Sequence, residues 1–147
     1  MELLEKSLTH FASLVGGDCA DRAGAGAAGG FGFMAYAFLR ATAASGIDVI
    51  LDLVDFDARS IGANYIITGE GRFDSQSIKG KAPWGILQRA QRDGVPTFLV
   101  CGDADTQHGS AFAGIYTLTS LESDTAQCIN NPAPLVKELG AKIAAHL

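Results

Sequence analysis

The segment Ile67–Pro83 reads ITGEGRFDSQSIKGKAP and holds three glycines, two acids, one arginine and two lysines, in a chain whose charged content is only 18%. Its carboxylates, Glu70 and Asp74, are of the type that holds a divalent cation or takes a proton from a hydroxyl. Arg72 is suited to bidentate contact with a carboxylate or phosphate. Lys79 and Lys81 add point charges just ahead of a predicted helix. Gly69 and Gly71 flank Glu70 and are expected to let the backbone turn sharply on either side of it. Glu70, Arg72 and Asp74 are the candidate catalytic residues; Gly69, Gly71, Lys79 and Lys81 are candidates for binding substrate or phosphate. Taken singly, each also fits a solvated surface loop, where ion pairs contribute little. Their shared location is what makes them a site.

A second set lies upstream, in GAGAAGG ahead of the apolar FGFMAYAFL. Gly24, Gly26 and Gly29 match G-x-G-x-x-G, the dinucleotide fingerprint, which requires a strand just before it and an acid about 20 residues on. GGDCADRA has no apolar run to make that strand, and Asp48, near the right distance, falls inside a helical pattern. Two readings of Gly24, Gly26, Gly29 and Gly30 stay open. They could hold a phosphate or carboxylate at a helix N-terminus, or serve as small residues where helices pack closely. Asp103 and Asp105 are further carboxylates at a strand end. His10, His108 and His146 show no ligand spacing, so no metal site is expected from them. Neither G-x-S-x-G nor G-x-x-x-x-G-K-[ST] is present.

The elements that must hold these residues follow from periodicity. Leu4, Leu8, Phe11 and Val15 predict an amphipathic helix over 2–15. Residues 31–40 predict a helix that is apolar all round and needs cover on every side. Ile47, Ile50, Leu51 and Val54 form one helical stripe with Asp48, Asp52 and Asp55 opposite, and a short helical turn is expected near Ala58–Ile61. YIIT (65–68) predicts a buried strand, and Pro83 marks a helix that stops before Gly94. VPTFLVCG and GIYTLT predict two further strands, and a helix follows from Pro132. The strand–loop–helix–strand order is a βαβ unit. Its charged segment leaves the carboxyl end of a strand, where open α/β sheets bind ligands. The expected fold class is α/β, a small parallel sheet with flanking helices of Rossmann or flavodoxin type, in a single domain or fragment over 1–147.

Length, charge and composition narrow the partners. At 147 residues, with 48% apolar residues, the chain can bury one core. A net charge of −5 without a basic run argues against nucleic acid and anionic membrane. Cys19, Cys101 and Cys128 make neither a disulfide framework nor a CxxC pair. MELLEKSLTHF lacks the form of a signal peptide, and the apolar run Phe31–Leu39 is too short to span a bilayer. The expected location is the cytoplasm.

GAGAAGGFGFMAYAFLRA, SGIDVILDLVDFD and ANYIITGEGRFDSQSIKGKAPWGILQRAQRDGVPTFLVCG follow in an order and separation that resemble bacterial glycerate kinases of the glycerate 2-kinase type. The resemblance runs from about Leu4 onward and covers only the C-terminal part of that family. It implies transfer of the γ-phosphoryl of ATP, with Mg2+, to a hydroxyl of D-glycerate, giving phosphoglycerate. It also implies two α/β domains with the site between them, so a missing N-terminal domain or a homodimer is expected to complete this chain. Two departures stand out: Ala23 where the family has proline, and CGDAD (101–105) where it tends to have AGS. Which carboxylate is the base stays open, as does the alternative of a non-catalytic anion- or nucleotide-binding module that self-associates.

Overall fold

The structure, a computed structural model, describes residues 2–15 and 17–147. Its contacts divide the chain into two compact units, one ending at Ala44 and the other running Ser45–Leu147.

The first unit holds α1 (Glu2–Val15), a 3-10 turn at Gly17–Cys19, and α2 (Ala27–Leu39). The expected helix over 2–15 forms, yet none of its residues is buried; Leu4 and Leu8 stay exposed, and Phe11 meets Phe33 edge-on at 6.2 Å. α2 opens irregularly, with Ala28, Gly29 and Gly30 in left-handed conformations, so regular helix begins only after them. Phe33 is its buried residue, while Phe31, Met34, Phe38 and Leu39 are exposed, matching the expectation of a helix short of cover. Residues 20–26 are turns, and among the described residues no strand precedes Gly24. The dinucleotide fingerprint therefore lacks its strand, and that reading fails.

The second unit contains α3 (Gly46–Leu53), α4 (Phe56–Ser60), β1 (Ile66–Phe73), α5 (Ala82–Arg92), β2 (Thr97–Ala104), β3 (Gly114–Thr117), α6 (Thr125–Asn130) and α7 (Pro132–Ala144). The strands make a three-stranded parallel sheet in the order β1-β2-β3, the small α/β sheet anticipated from the sequence. Side chains alternate between faces along a strand. Leu99 and Cys101 enter a core with Phe73, Leu87 and Phe112, whereas Val100 packs on Leu118, Cys128 and Leu139. Helix α5 thus covers one face, and α6 with α7 the other. No helix of the described residues is long and apolar enough to cross a membrane.

The expected strand at 65–68 is too short. β1 continues to Phe73, so Gly69, Glu70, Gly71 and Arg72 lie in a strand and not in a loop. The cause is tertiary: β2 runs alongside to Ala104, and its Cys101 and Asp103 stand opposite Glu70 and Arg72. A continued ladder satisfies backbone groups that a polar sequence would otherwise leave to water. The glycines act differently from expectation as well. Neither Gly69 nor Gly71 has a positive φ. Gly69 is needed for close approach, since a Cβ there would come 2.6 Å from the Val100 carbonyl oxygen; at Gly71 a Cβ would meet nothing within 4 Å.

Candidate functional site

Glu70 leaves β1 beside Cys101 of β2, and its side chain is only 13% exposed. Lys81, the residue capping the start of α5, places Nζ 3.3 Å from Glu70 Oε2. Pro83 in the first turn fixes where α5 begins, and so where Lys81 stands. Glu70 Oε1 is buried and has no hydrogen-bond partner among the described residues.

Ser77 joins these charges. Its hydroxyl, fully buried, accepts from Lys81 Nζ at 3.3 Å and from the Asp74 amide at 3.1 Å, and donates to the Arg72 carbonyl at 3.4 Å. The sequence reading passed over Ser77, since a serine in a charged segment carries no distinctive pattern. Asp74 is drawn into the same turn: its Oδ1 accepts from the Gln76 amide at 2.8 Å, a local Asx contact. Lys79 ends the short 3-10 turn Ser77–Lys79 and is exposed.

A cleft of about 530 Å³ opens at the carboxyl ends of β1 and β2. Glu70, Gly71 and Arg72 line it from β1, Cys101 and Asp103 from β2, and Thr119 from the turn after β3. Thr119 donates its hydroxyl to Asp103 Oδ1 at 3.2 Å. Of the candidates named from sequence, the cleft gathers Glu70, Arg72, Gly71 and Asp103, with Lys81 paired to Glu70. Asp74, Lys79 and Gly69 do not line it. Asp105 is spent on a cap, accepting from the Gln107 amide at 3.1 Å. Burial first, and then the negative charge of Glu70 and of Asp103, push the Cys101 thiol up to about 11. Cys101 is thus a neutral thiol in the cleft wall at ordinary pH, and no thiolate chemistry is open to it there.

The glycine-rich segment belongs to the first unit. Gly24, Gly29 and Gly30 have φ of 87°, 71° and 99°, a conformation that favours glycine, whereas Gly26 does not. A Cβ on Gly32 would run into the Gly24 carbonyl, and the Phe33 amide donates to the Ala25 carbonyl at 2.8 Å. Close packing therefore accounts for part of this segment. Tyr36 donates its hydroxyl to the Ala23 carbonyl at 2.6 Å, with the Arg22 guanidinium over its ring at 5.5 Å. Gly26 and Gly30 border a separate groove of about 500 Å³ beside Phe11 and Phe33.

A second charge cluster escaped the sequence reading. Arg89 of α5, only 8% exposed, lies 2.6 Å from Asp52, 3.3 Å from Asp48 and 3.2 Å from Asp57. The Asp52 hydrogen bond, ahead of the other acids, raises its already high pKa further against the cost of burial. The acids of α3 that read as a solvent face instead grip α5, while Ile50 and Val54 of the apolar stripe remain exposed.

Comparison with known proteins agrees with this architecture. A model of the glycerate kinase family matches residues 1–147. The glycerate kinase of Bacillus subtilis (strain 168) is 36% identical over 126 residues, covering 82% of this chain and 33% of that protein. The glycerate 2-kinase of Escherichia coli (strain K12) is 31% identical over 96% of this chain and 40% of its own length. A crystal structure assigned as glycerate kinase 2 from Salmonella typhimurium LT2 superposes with a TM-score of 0.66 at 33% identity, over 96% of this chain and 39% of that one. The chain thus spans between a third and two-fifths of the length of these three relatives. On the matched motifs, the parallel sheet and the whole-chain family match, this chain belongs to the glycerate kinase family.

Proposed function

We propose that this chain supplies one wall of a phosphotransferase site that moves the γ-phosphoryl of ATP to a hydroxyl of D-glycerate. The observation that carries the reading is the pairing of β1 and β2, which sets Glu70 beside Cys101 and Arg72 beside Asp103 at one cleft. Phosphoryl transfer asks a protein mainly for positioning and for neutralisation of charge. Arg72 offers a planar fork to phosphate or to the glycerate carboxylate, and Lys81 adds a cation at the head of α5. Asp103 accepts the Thr119 hydroxyl through Oδ1, and through its other oxygen it can receive the proton of the attacking hydroxyl. Asp74 and Lys79 do not line this cleft and belong to the turn ahead of α5, and the Gly24–Gly30 segment belongs to the first unit.

Mg2+ binds through one or two carboxylates together with substrate phosphates. Among the described residues no group of three or more His, Cys, Asp or Glu forms a metal cage, while Glu70 Oε1 is buried without a partner. That donor set fits a cation carried in on a nucleotide. Glu70 and Asp103 would hold it, and it would neutralise phosphate charge there.

The test is ADP release by the purified chain with Mg·ATP and D-glycerate, paired with thermal unfolding against each ligand and NAD. Glycerate-dependent ADP release that Glu70→Gln and Asp103→Asn reduce supports the reading. Neither release nor a rise in midpoint with ATP or glycerate defeats it for this chain. A second reading, a self-associating module, draws on the exposed Phe31, Phe38 and Leu39 of α2. A dimer in solution that Phe38→Ser disperses would favour it.

A further inference from the structure

Three residues of α5 follow one another a turn apart on a single stripe: Lys81 at its head, then Gly85, then Arg89. Each meets a different neighbour. Lys81 Nζ is 3.3 Å from Glu70 Oε2 and 3.3 Å from the Ser77 hydroxyl. Gly85 faces α3, where a Cβ would come 2.6 Å from Ile47 Cγ1. Arg89 is held by the carboxylates of Asp48, Asp52 and Asp57, and its Nη2 also donates to the Asp48 backbone carbonyl at 3.1 Å. That last bond ties Arg89 to the backbone of α3 and not to its side chains alone.

We propose that Arg89 is a positioning residue for Lys81, clamping α5 against α3 so that the lysine at the helix head meets Glu70 and Ser77 in register. The inference rests on the phosphotransfer reading for the purpose of Lys81, and adds to it what sets that cation in place. Leu87 joins Phe73 and Leu99 in the core, but apolar burial is non-directional and leaves position along the helix axis to other contacts. Arg89 and Gly85 supply them. The guanidinium makes directed bonds to α3 and α4, and the missing Cβ lets α3 approach along the same stripe. The helix carries the constraint back to its head: the Gly85 amide donates to the Lys81 carbonyl at 3.2 Å, and Arg89 lies about 12 Å along the axis from Lys81. A slip of one residue's rise, about 1.5 Å, is more than a hydrogen bond already at 3.3 Å can absorb, and Lys81 has two contacts to keep. Arg89 does not line the cleft, so its effect there passes through Lys81.

The experiment measures the coupling of Lys81 to Glu70 by urea unfolding of Glu70→Gln, Lys81→Met and the double variant, in the parent chain and again in chains carrying Arg89→Met. Independent sites this far apart leave each other's effects unchanged. The expected result is a coupling, read as a ratio of unfolding constants, that falls about fivefold or more with Arg89→Met. Gly85→Ala, which pushes on Ile47, should lower it as well, and Ile47→Ala added to Gly85→Ala should restore it. Ile143→Val, buried in α7 on the other face of the sheet, destabilises without touching the seam and should leave the coupling as it is. A coupling unchanged in both Arg89→Met and Gly85→Ala, or lost as much in Ile143→Val, overturns the proposal. Loss of coupling in a chain that releases no ADP with Mg·ATP and D-glycerate would keep the clamp and defeat the phosphotransfer reading. ADP release that Glu70→Gln reduces, but that Arg89→Met and Gly85→Ala leave untouched, would do the reverse.

Discussion

Lys81 stands 3.3 Å from Glu70, so that one cation at the head of α5 neutralises an acid sunk at the carboxyl end of β1. Lys81 is 45% exposed and Glu70 only 13%, which makes the pair asymmetric. Removing the lysine strands the acid in a poorly hydrated place; removing the acid leaves a lysine that water can serve. Lys81→Met should therefore cost about 1–2 kcal/mol in urea unfolding, more than Glu70→Gln. The double variant should recover part of the loss. Equal losses in the two single variants would show that the asymmetry of burial does not govern the pair.

Ser77 satisfies three groups through one buried oxygen. Ser77→Ala keeps the size of the site and deletes those bonds. It should destabilise by about 1–3 kcal/mol, because the Asp74 amide is left without its acceptor. Hydrogen exchange provides the check: the Asp74 amide should lose protection relative to the amides of α5.

The glycines of β1 and β2 make a test of close strand approach. A Cβ at Gly69 would lie 2.6 Å from the Val100 carbonyl oxygen, and one at Gly102 would lie 2.5 Å from the Gly71 carbonyl oxygen. Gly69→Ala and Gly102→Ala should each cost about 1–3 kcal/mol, as overpacking does. Gly71→Ala meets nothing and should fall within about 0.5 kcal/mol of the parent. Denaturant midpoints of the three variants decide it.

Cys101 gives a pH dependence of known sign. Its folded pKa is about 11, above the ordinary 9.0, so the folded state keeps its proton after the unfolded state has lost it. The stabilisation is fully present below pH 9 and declines between pH 9 and 11, at up to about 1.4 kcal/mol per pH unit. Cys101→Ala should flatten that stretch of the stability curve relative to the parent. Iodoacetamide at pH 8 should likewise spare Cys101 in the native state and modify the more exposed Cys19 first.

Arg89 is gripped by Asp48, Asp52 and Asp57, and its variants should separate charge from shape. Arg89→Met leaves the acids of α3 and α4 facing one another and should lower the thermal midpoint, with added salt restoring part of it. Arg89→Lys should also lose stability, because an ammonium cannot reproduce a fork shared among separate carboxylates. A midpoint unchanged in Arg89→Lys would mean that net charge alone holds α3 to α5.

What could be read from residues alone was whatever local pattern dictates. The apolar runs gave β2 and β3, Pro83 and Pro132 marked the starts of α5 and α7, and the all-apolar run became α2, with Phe31, Phe38 and Leu39 exposed. The extension of β1 through Glu70 and Arg72 was not legible, because a neighbouring strand and not local propensity makes it. Arg89 and Ser77 were invisible for a related reason: each draws its role from partners brought in by the fold, and neither type stands out at its position. The charged segment was expected in a loop after residue 68, whereas its first members lie within β1, and the structure sorts the rest. Glu70, Arg72 and Lys81 were gathered at or beside the cleft, while Asp74 closes its own turn and Lys79 lies apart from the cleft.

Most of the charged wall comes from one contiguous run, β1–α5–β2. Glu70, Ser77, Lys81, Cys101 and Asp103 are all delivered within it. The parallel pairing sets Glu70 against Cys101 and Arg72 against Asp103, each 31 positions further along, and α5 with its leading turn fills the interval. The acids and their cation thus come into register when this one crossover forms, without waiting for distant parts of the chain to dock. A fault in this one crossover would therefore displace Glu70, Lys81 and Asp103 together, whereas a fault in α7 would leave their mutual register in place.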